Sequence, residues 1–384
     1  MQLDLSADQI LIRDTVRELC EREFAQHAST WDLEGRVVPR EAVATLAEHG
    51  FLGMAIPEEW GGVGYDARTI ALVLEEISRV SAALGIMIAV HNSVGAYPIY
   101  RYGTEEQKRR FLPRLISREL SAFSLSEPGS GSDAAALEST ATRQGDAYVL
   151  NGTKTWVTNG EHAGIYLIFA KTDRTAGHRG ITAFIVERGA PGLQLGKEED
   201  KMGLRGSDTV SLVLEDLRVP VEQRLGAEGE GFKIAMSVLD SGRVGVAAQA
   251  IGVMRAAFEQ AVRYAQQRQA FGGPIARIQS VQFKLAEMER RLQAARLLLQ
   301  RAAWLKDCGR PFSREASMAK LYASESATWV AHQAIQIHGG YGYVKEYPVE
   351  RYYRDARVME IYEGTSEIQR LVIARSLLRD GVKV

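Results

Sequence analysis

Close to the C-terminus, Ile361-Tyr362-Glu363-Gly364-Thr365-Ser366-Glu367-Ile368-Gln369-Arg370 sets one carboxylate, Glu363, between an aromatic ring and a glycine. An apolar strip gives way there to a helix that begins with Thr and Ser. A carboxylate flanked in this way can act as a base, and backbone N–H groups at a helix start are free to meet an anion or a carbonyl oxygen. The same residues also read as an ordinary cap, Thr365 or Ser366, with Glu363 a solvated loop acid. A second segment, residues 124–134, is rich in Gly and Ser. Its N–H groups and hydroxyls suit a pyrophosphate, or merely a connector between domains. It contains Gly129-x-Gly131-x-x-Ala134, formally a dinucleotide fingerprint. That reading is rejected, because the fingerprint needs a βαβ unit and the neighbours here read as helices on one side and antiparallel strands on the other.

Trp156 and Thr158 fall on one strand, where alternation puts both on the same face. An indole beside a hydroxyl can cover and hydrogen-bond a flat heteroaromatic ring; equally, Trp156 can fill the core of its sheet. Asp240 and Arg243 are charges on an otherwise apolar helix, a position kept for paired or ligand-bound groups. Residues 266–272 with Gln279 form one polar turn, and residues 336–342 another opening rich in glycine. Each alone reads as loop chemistry. None of the seven histidines has HxxxH or HxxH spacing, so no metal is expected.

These residues need three kinds of scaffold. From Ser6, a plausible N-cap, to about Leu120 the period is helical, with helices expected at 40–49, 67–80, 82–101 and 104–117. The glycines and tryptophan of residues 57–65 mark a tightly packed loop between them. Around residue 121 the period falls to two. Asn151-Gly152, between Tyr148-Val149-Leu150 and Lys154-Thr155-Trp156-Val157-Thr158, is a strong hairpin signal, and further strands are expected at 165–171, 181–187 and 209–214. From Gly231 the helical period returns, with helices at 231–267, 280–307, 313–338 and 365–379. Leu285, Met288, Leu292, Ala295, Leu299 and Ala302 form the seam of a packed helix. The reading is an α+β chain of three domains: all-α over 1–120, antiparallel β over 121–230, and a four-helix bundle over 231–384.

The bulk composition agrees with small-molecule chemistry. The chain has 384 residues, 46% hydrophobic and 25% charged, with a net charge of -1, which offers no electrostatic reason to expect nucleic acid or an anionic membrane. Cys20 and Cys308 are far apart and in no metal or disulfide pattern. Residues 1–8 are acidic and broken, unlike a secretory signal, and the longest apolar run, residues 82–90, is short of a membrane span. A soluble protein of a reducing cytosol is expected.

Taken together and in order, these segments resemble the acyl-CoA dehydrogenase family over nearly the whole chain, from Leu5 to Leu378. The telling matches are Leu125-Ser126-Glu127-Pro128-Gly129-Ser130-Gly131-Ser132-Asp133, Asn151-Gly152-Thr153-Lys154 with Trp156-Val157-Thr158-Asn159, Arg268 with Phe271-Gly272, and Ile361-Tyr362-Glu363-Gly364-Thr365. The resemblance implies an α domain, a β domain and a C-terminal four-helix bundle. It implies FAD, α,β-dehydrogenation of an acyl-CoA to the trans-2-enoyl-CoA, and electron transfer to an electron-transfer flavoprotein. Glu363 would remove the α-proton, with Tyr362 and Gly364 beside the substrate. Phe123, Leu125, Ser126, Gly131 and Ser132 would lie along the flavin and its phosphates, Ser132 also near CoA. Trp156 and Thr158 would cover the flavin. Arg268, Phe271, Gln279, Gln336, Gly339 and Gly340 resemble positions that hold the adenine half of FAD, partly across a subunit boundary, which implies a homo-oligomer, most often a tetramer. Thr365 and Glu367 resemble further FAD contacts, and Asp240 and Arg243 positions at the CoA and catalytic end.

Branches of the family that carry the base on the bundle helix place it where this chain has Gly242. The motifs look most like short-chain, butyryl-type members. Val90, Val94 and Tyr97 are expected to floor the acyl pocket. Rivals within the same fold are an oxidase that gives electrons to O2 and, from a different class, a DNA-binding protective flavoprotein, which the net charge disfavours.

Overall fold

A computed structural model describes residues 4–381; Met1–Leu3 of the acidic N-terminal stretch lie outside the described residues. The helices of the first third are α1 (Ala7–Glu23), α2 (Ala25–Leu33), α3 (Arg40–Glu48), α4 (Ala67–Val80), α5 (Ala82–Val90), α6 (Tyr97–Tyr102) and α7 (Glu105–Ser117). Ser6 caps α1 through a reciprocal box with Gln9, the N-terminal signal its sequence carries. The loop at 57–65 is as tight as its glycines require: a Cβ on Gly62 would run into the Ile56 carbonyl.

The helix expected over 82–101 is instead three pieces, because His91–Ala96 is wound as a π segment between α5 and α6. Gly95 within it lets a strand come close, since a Cβ there would collide with Ser121. His91 pins the junction: its Nδ1 accepts from Ser121 N at 3.0 Å and its Nε2 faces the Leu52 carbonyl at 3.0 Å. Burial holds this imidazole neutral, its pKa lowered to about 4. Ala82–Tyr102 is long and apolar enough to cross a membrane, but 89% of its most apolar window lies inside the protein.

The β domain contains β1 (Leu120–Ser124), β2 (Thr140–Gln144), β3 (Ala147–Thr158), β4 (Ala163–Lys171), β5 (Ile181–Glu187), β6 (Leu193–Glu198), β7 (Thr209–Pro220) and β8 (Arg224–Leu225), in the order β6-β7-β3-β2-β4-β5-β8 with β1 beside β4. Most pairs are antiparallel. The exceptions are β1, parallel to β4, and a single parallel bridge from Thr140 of β2 to Lys171 of β4.

The Asn151-Gly152 hairpin does not form. β3 runs straight through it, and the tight turn is Gly145-Asp146, one connection earlier, with Gln144 paired to Ala147. Gly152 has φ 151 and marks a register shift against β7, a bulge that Asn151 secures by exchanging hydrogen bonds with Asp216. Ser139 packs where a Gly152 side chain would stand. A second shift, between Lys154 and Val157, breaks the alternation assumed for Trp156 and Thr158. Trp156 takes a left-handed φ of 59 and is 64% exposed, so it does not fill the sheet core; Val157 does.

The last third holds α8 (Gly231–Gln267), a short ribbon of β9 (Gln269–Ala270) and β10 (Gly273–Pro274), then α9 (Gln279–Asp307), α10 (Ser313–His338), α11 (Val349–Arg357) and α12 (Ser366–Asp380). The α9 seam is buried from Met288 to Ala302, with Leu285 at its edge. Of the four long helices, α8, α9 and α10 pack on one another. α12 packs against α10, while α4 from the N-terminal domain fills the remaining wall along α8 and α9. α11, which the sequence periodicity does not reveal, ties this part to the β domain: its Asp355 accepts from Leu204 N at 2.6 Å.

Candidate active site

Glu363 sits in the turn between α11 and α12, with a left-handed φ of 51, followed by Gly364 at φ 93. The turn is left-handed twice in succession, and the glycine accommodates the second step without a Cβ penalty. Thr365 closes it as the cap of α12, its hydroxyl accepting from Ile368 N at 3.3 Å. Glu367 lies in the first turn of α12, where hydrogen bonds from its own backbone N–H and from Thr365 lower its pKa. Gln369, wholly buried in α12, donates to the carbonyls of Glu363 (3.2 Å) and Gly364 (2.8 Å). Among the described residues, no protein acceptor takes the Glu363 backbone N–H.

The carboxylate points at α8. A Cβ on Gly242 would fall on Glu363 Oε2, so the glycine is the hole into which the acid fits. Oε2 is buried and has no hydrogen-bond partner. Burial raises the pKa of Glu363 to about 7, against the opposing pull of Lys320 and Arg243. Arg243, one residue beyond Gly242, donates to Asp240 at 2.7 Å, and Ser313 donates to the same carboxylate at 3.0 Å. Tyr362 is anchored by its hydroxyl on Gln249, whose amide donates to the Ala82 carbonyl at 2.8 Å. This puts Tyr362 against α5, in the apolar cluster that also holds Val90, Val94, Tyr97 and Val244.

The glycine- and serine-rich loop lies at the end of β1. Phe123 packs at a tilt against Phe169 (4.9 Å between ring centroids), Leu125 is buried, and the Ser126 carbonyl accepts from Thr155 N at 3.0 Å. Gly131 and Ser132 are exposed, with open space around the Gly131 Cα. A buried ion pair fixes the loop to β3: Lys154 Nζ lies 2.7 Å from Glu127 Oε1 and also donates to the Leu125 carbonyl, while Glu127 accepts from Ser139 N. The segment leads to the short 3-10 turn Ala134–Ala136 rather than to a βαβ helix, as the rejection of the fingerprint required. Asn159, at the end of β3, donates to the carbonyls of Met87 and Ser121, so α5, β1 and the Trp156 strand meet at one residue. An exposed indole, the partly exposed Thr158 hydroxyl and the open Gly131-Ser132 backbone fit a flat ring carrying phosphates.

The remaining expected residues form a second group. Arg268 follows α8 and lies 5.6 Å over the ring of Tyr341, which follows α10. Phe271 is 97% exposed at φ 53, Gly339 turns at φ 60, and open space lies where a Cβ on Gly339 or Gly340 would stand. Gln279 begins α9 and Gln336 lies in the last turn of α10. No hydrogen bond or ring contact among the described residues joins this group to Glu363 or Trp156.

Three family models cover the chain in sequence: the acyl-CoA dehydrogenase N-terminal domain over 6–119, the middle domain over 122–217 and the C-terminal domain over 229–378. The chain belongs to the acyl-CoA dehydrogenase family. It is 50% identical over 378 residues to the mitochondrial short-chain specific acyl-CoA dehydrogenase of Mus musculus, covering 98% of this chain and 92% of that protein. The butyryl-CoA dehydrogenase structure from Megasphaera elsdenii superposes with a TM-score of 0.97 at 44% identity, over 99% of this chain and all of that one. A structure reported for the electron transferring flavoprotein of Acidaminococcus fermentans contains a chain that matches with the same TM-score at 46% identity, again over 99% and 100%. This acyl-CoA dehydrogenase is therefore an oxidoreductase with the family's three-domain fold.

Sequence reasoning did not single out Gln249, Lys320 or Gln369. Gln249 is a polar residue on an otherwise apolar helix face, the signal that drew attention to Arg243, and Lys320 a charge on a face of alanines and serines, whereas Gln369, beside Thr365 and Ser366, carries no such signal.

Proposed function

We propose that this acyl-CoA dehydrogenase acts on short- to medium-chain acyl-CoA thioesters, with Glu363 removing the α-proton. The observation that carries the reading is the Glu363 carboxylate itself, buried over Gly242 with Oε2 unpartnered and a pKa raised to about 7. A carboxylate held there titrates near neutral pH and is a stronger base than a solvated one. The Glu363 N–H supports stabilisation of the negative charge that develops on the thioester oxygen. Tyr362 closes one side and excludes water. The fit of Trp156, Thr158 and residues 125–132 supports FAD as the cofactor, with Arg268, Phe271, Gln279, Gln336, Gly339, Gly340, Thr365 and Glu367 as further contacts. When bound, FAD supplies the acceptor for the β-hydrogen as hydride.

Likeness to the mitochondrial short-chain specific enzyme and to butyryl-CoA dehydrogenase supports a short acyl chain. Likeness to the Acidaminococcus chain supports an electron-transfer flavoprotein as acceptor, and two unpaired cysteines support a cytoplasmic location. Phe271, Phe283 and Tyr343, all largely exposed, support a homo-oligomer. Anaerobic bleaching of the bound flavin by straight and branched acyl-CoAs of increasing length tests the reading. Fast bleaching by butyryl-CoA is expected; no bleaching by any acyl-CoA removes the proposal, and peroxide formation without an added acceptor replaces it with an oxidase.

A further inference from the structure

Lys320 lies in the first half of α10, on the buried seam of Ala316, Ala319, Ala323 and Ala327, and is itself completely buried. An ammonium without solvent is costly, so it needs a compensating partner. Its one hydrogen-bond acceptor among the described residues is the Gly364 carbonyl, at 2.8 Å. The same carbonyl accepts from Gln369 at 2.8 Å, so helices α10 and α12 hold the turn after Glu363 from two sides. Neither the proton transfer nor the cofactor contacts described above use this lysine.

We propose that Lys320 is a positioning residue for the Glu363 carboxylate: it clamps the Glu363–Gly364 turn through the Gly364 carbonyl and keeps a buried positive charge beside the acid. The inference rests on the reading of Glu363 as the base. The charged groups that face Glu363 are Lys320 from α10 and Arg243 from α8, with the neutral Tyr362 in its own turn. Arg243 is already committed to Asp240, at 2.7 Å. Lys320 faces Glu363, Arg243, Glu360 and Glu325, and among the described residues has no carboxylate within ion-pair distance. Its charge is therefore the less neutralised of the two. Burial also lowers the pKa of Lys320, to about 8, which leaves it protonated at neutral pH.

A cation beside a carboxyl favours the ionised form, so its removal moves the acid's titration to higher pH. The test uses the FAD-loaded protein and the second-order rate of anaerobic flavin bleaching by butyryl-CoA as a function of pH, which reports ionisations of the free enzyme. Lys320→Met removes both charge and donor, Lys320→Gln keeps a donor for the Gly364 carbonyl without the charge, and Lys320→Arg keeps both. The acid limb is expected to move up by about one unit in the Met and Gln variants and to stay near wild type in Lys320→Arg, with FAD content unchanged. Should Lys320→Met fail to fold, the Gln and Arg variants decide. Acid limbs of Lys320→Gln and Lys320→Met that superimpose on wild type overturn the inference, whatever happens to the absolute rate. Half the wild-type rate in Glu363→Gln would instead overturn the assignment of the base, an outcome separate from any change at Lys320.

Discussion

At the scale of single residues, the site is a fit between an acid and the side chain that another residue lacks. Gly242 is more than the absence of a rival base: its missing Cβ is the space that the Glu363 carboxylate occupies. Gly242→Ala should displace the acid and lower the bleaching rate about 100-fold with FAD still bound, since a shift of about 1 Å at a reacting group has that cost. Retention of the wild-type rate would show that the carboxylate works from elsewhere. Glu363→Gln should keep FAD and lose nearly all dehydrogenation, several kcal/mol of barrier. The raised pKa of Glu363 also has a sign in stability. Because the folded state binds the proton more tightly than the unfolded one, this group's contribution falls as pH rises from about 4.5 through about 7. Glu363→Gln is accordingly expected to unfold at a higher temperature than wild type at pH 8, with a smaller difference at pH 5. Thermal melts of the FAD-loaded proteins at the two pH values check the sign.

At the scale of elements, β3 shows why local signals misplace structure. Asn151-Gly152 has the composition of a type I′ turn, and the same φ > 0 tolerance serves a bulge equally well. Which one forms depends on β7, whose Asp216 meets Asn151, and that partner lies 65 residues away. The bulges also present Trp156 outward, which strict alternation does not foresee. The Lys154–Glu127 pair then holds the β1 loop against this strand. Lys154→Met strands a buried carboxylate, Glu127, which the lysine now holds below its usual pKa range. A cost of about 3–5 kcal/mol is expected. Flavin content and thermal midpoint should fall together; a stable variant with full FAD would separate the loop from cofactor binding.

At the scale of the whole molecule, the domains are joined by buried charge as well as by apolar packing. Glu76 of α4 meets Arg17 of α1 at 2.9 Å and Arg255 of α8 at 2.7 Å, while Glu75 meets Arg255 and Arg296 of α9 at 3.2 and 2.5 Å. The guanidinium groups hold Glu76 below the usual carboxylate range. This network lies where α4 completes the wall of α8 and α9, so the N-terminal domain is part of the bundle rather than an appendage. The exposed Phe271 and its neighbours around Arg268 lead to a prediction about assembly. Light scattering is expected to give a mass well above the 42.4 kDa of one chain, and Phe271→Asp to lower both that mass and the FAD content. A wild-type monomer with full FAD would contradict the assignment of this group to a subunit boundary.

The sequence by itself determined the order of helical and sheet domains, a cap at Thr365 or Ser366, the α9 seam and Glu363 as the candidate acid, because hydrophobic period, capping chemistry and motif are local properties of neighbouring residues. Only the tertiary structure decided that β3 passes through Asn151-Gly152, that the helix over 82–101 contains a π segment, and that α4 rather than α12 closes the wall along α8 and α9. Those outcomes rest on partners distant in the chain: Asp216 for the bulge, Ser121 for the π segment, Glu75 and Glu76 for the wall. The same holds at the acid, where Lys320, Gln249 and Gln369 act on the Glu363 turn from three different helices. Their effect arises from burial and approach, neither of which is a property of any one stretch of sequence.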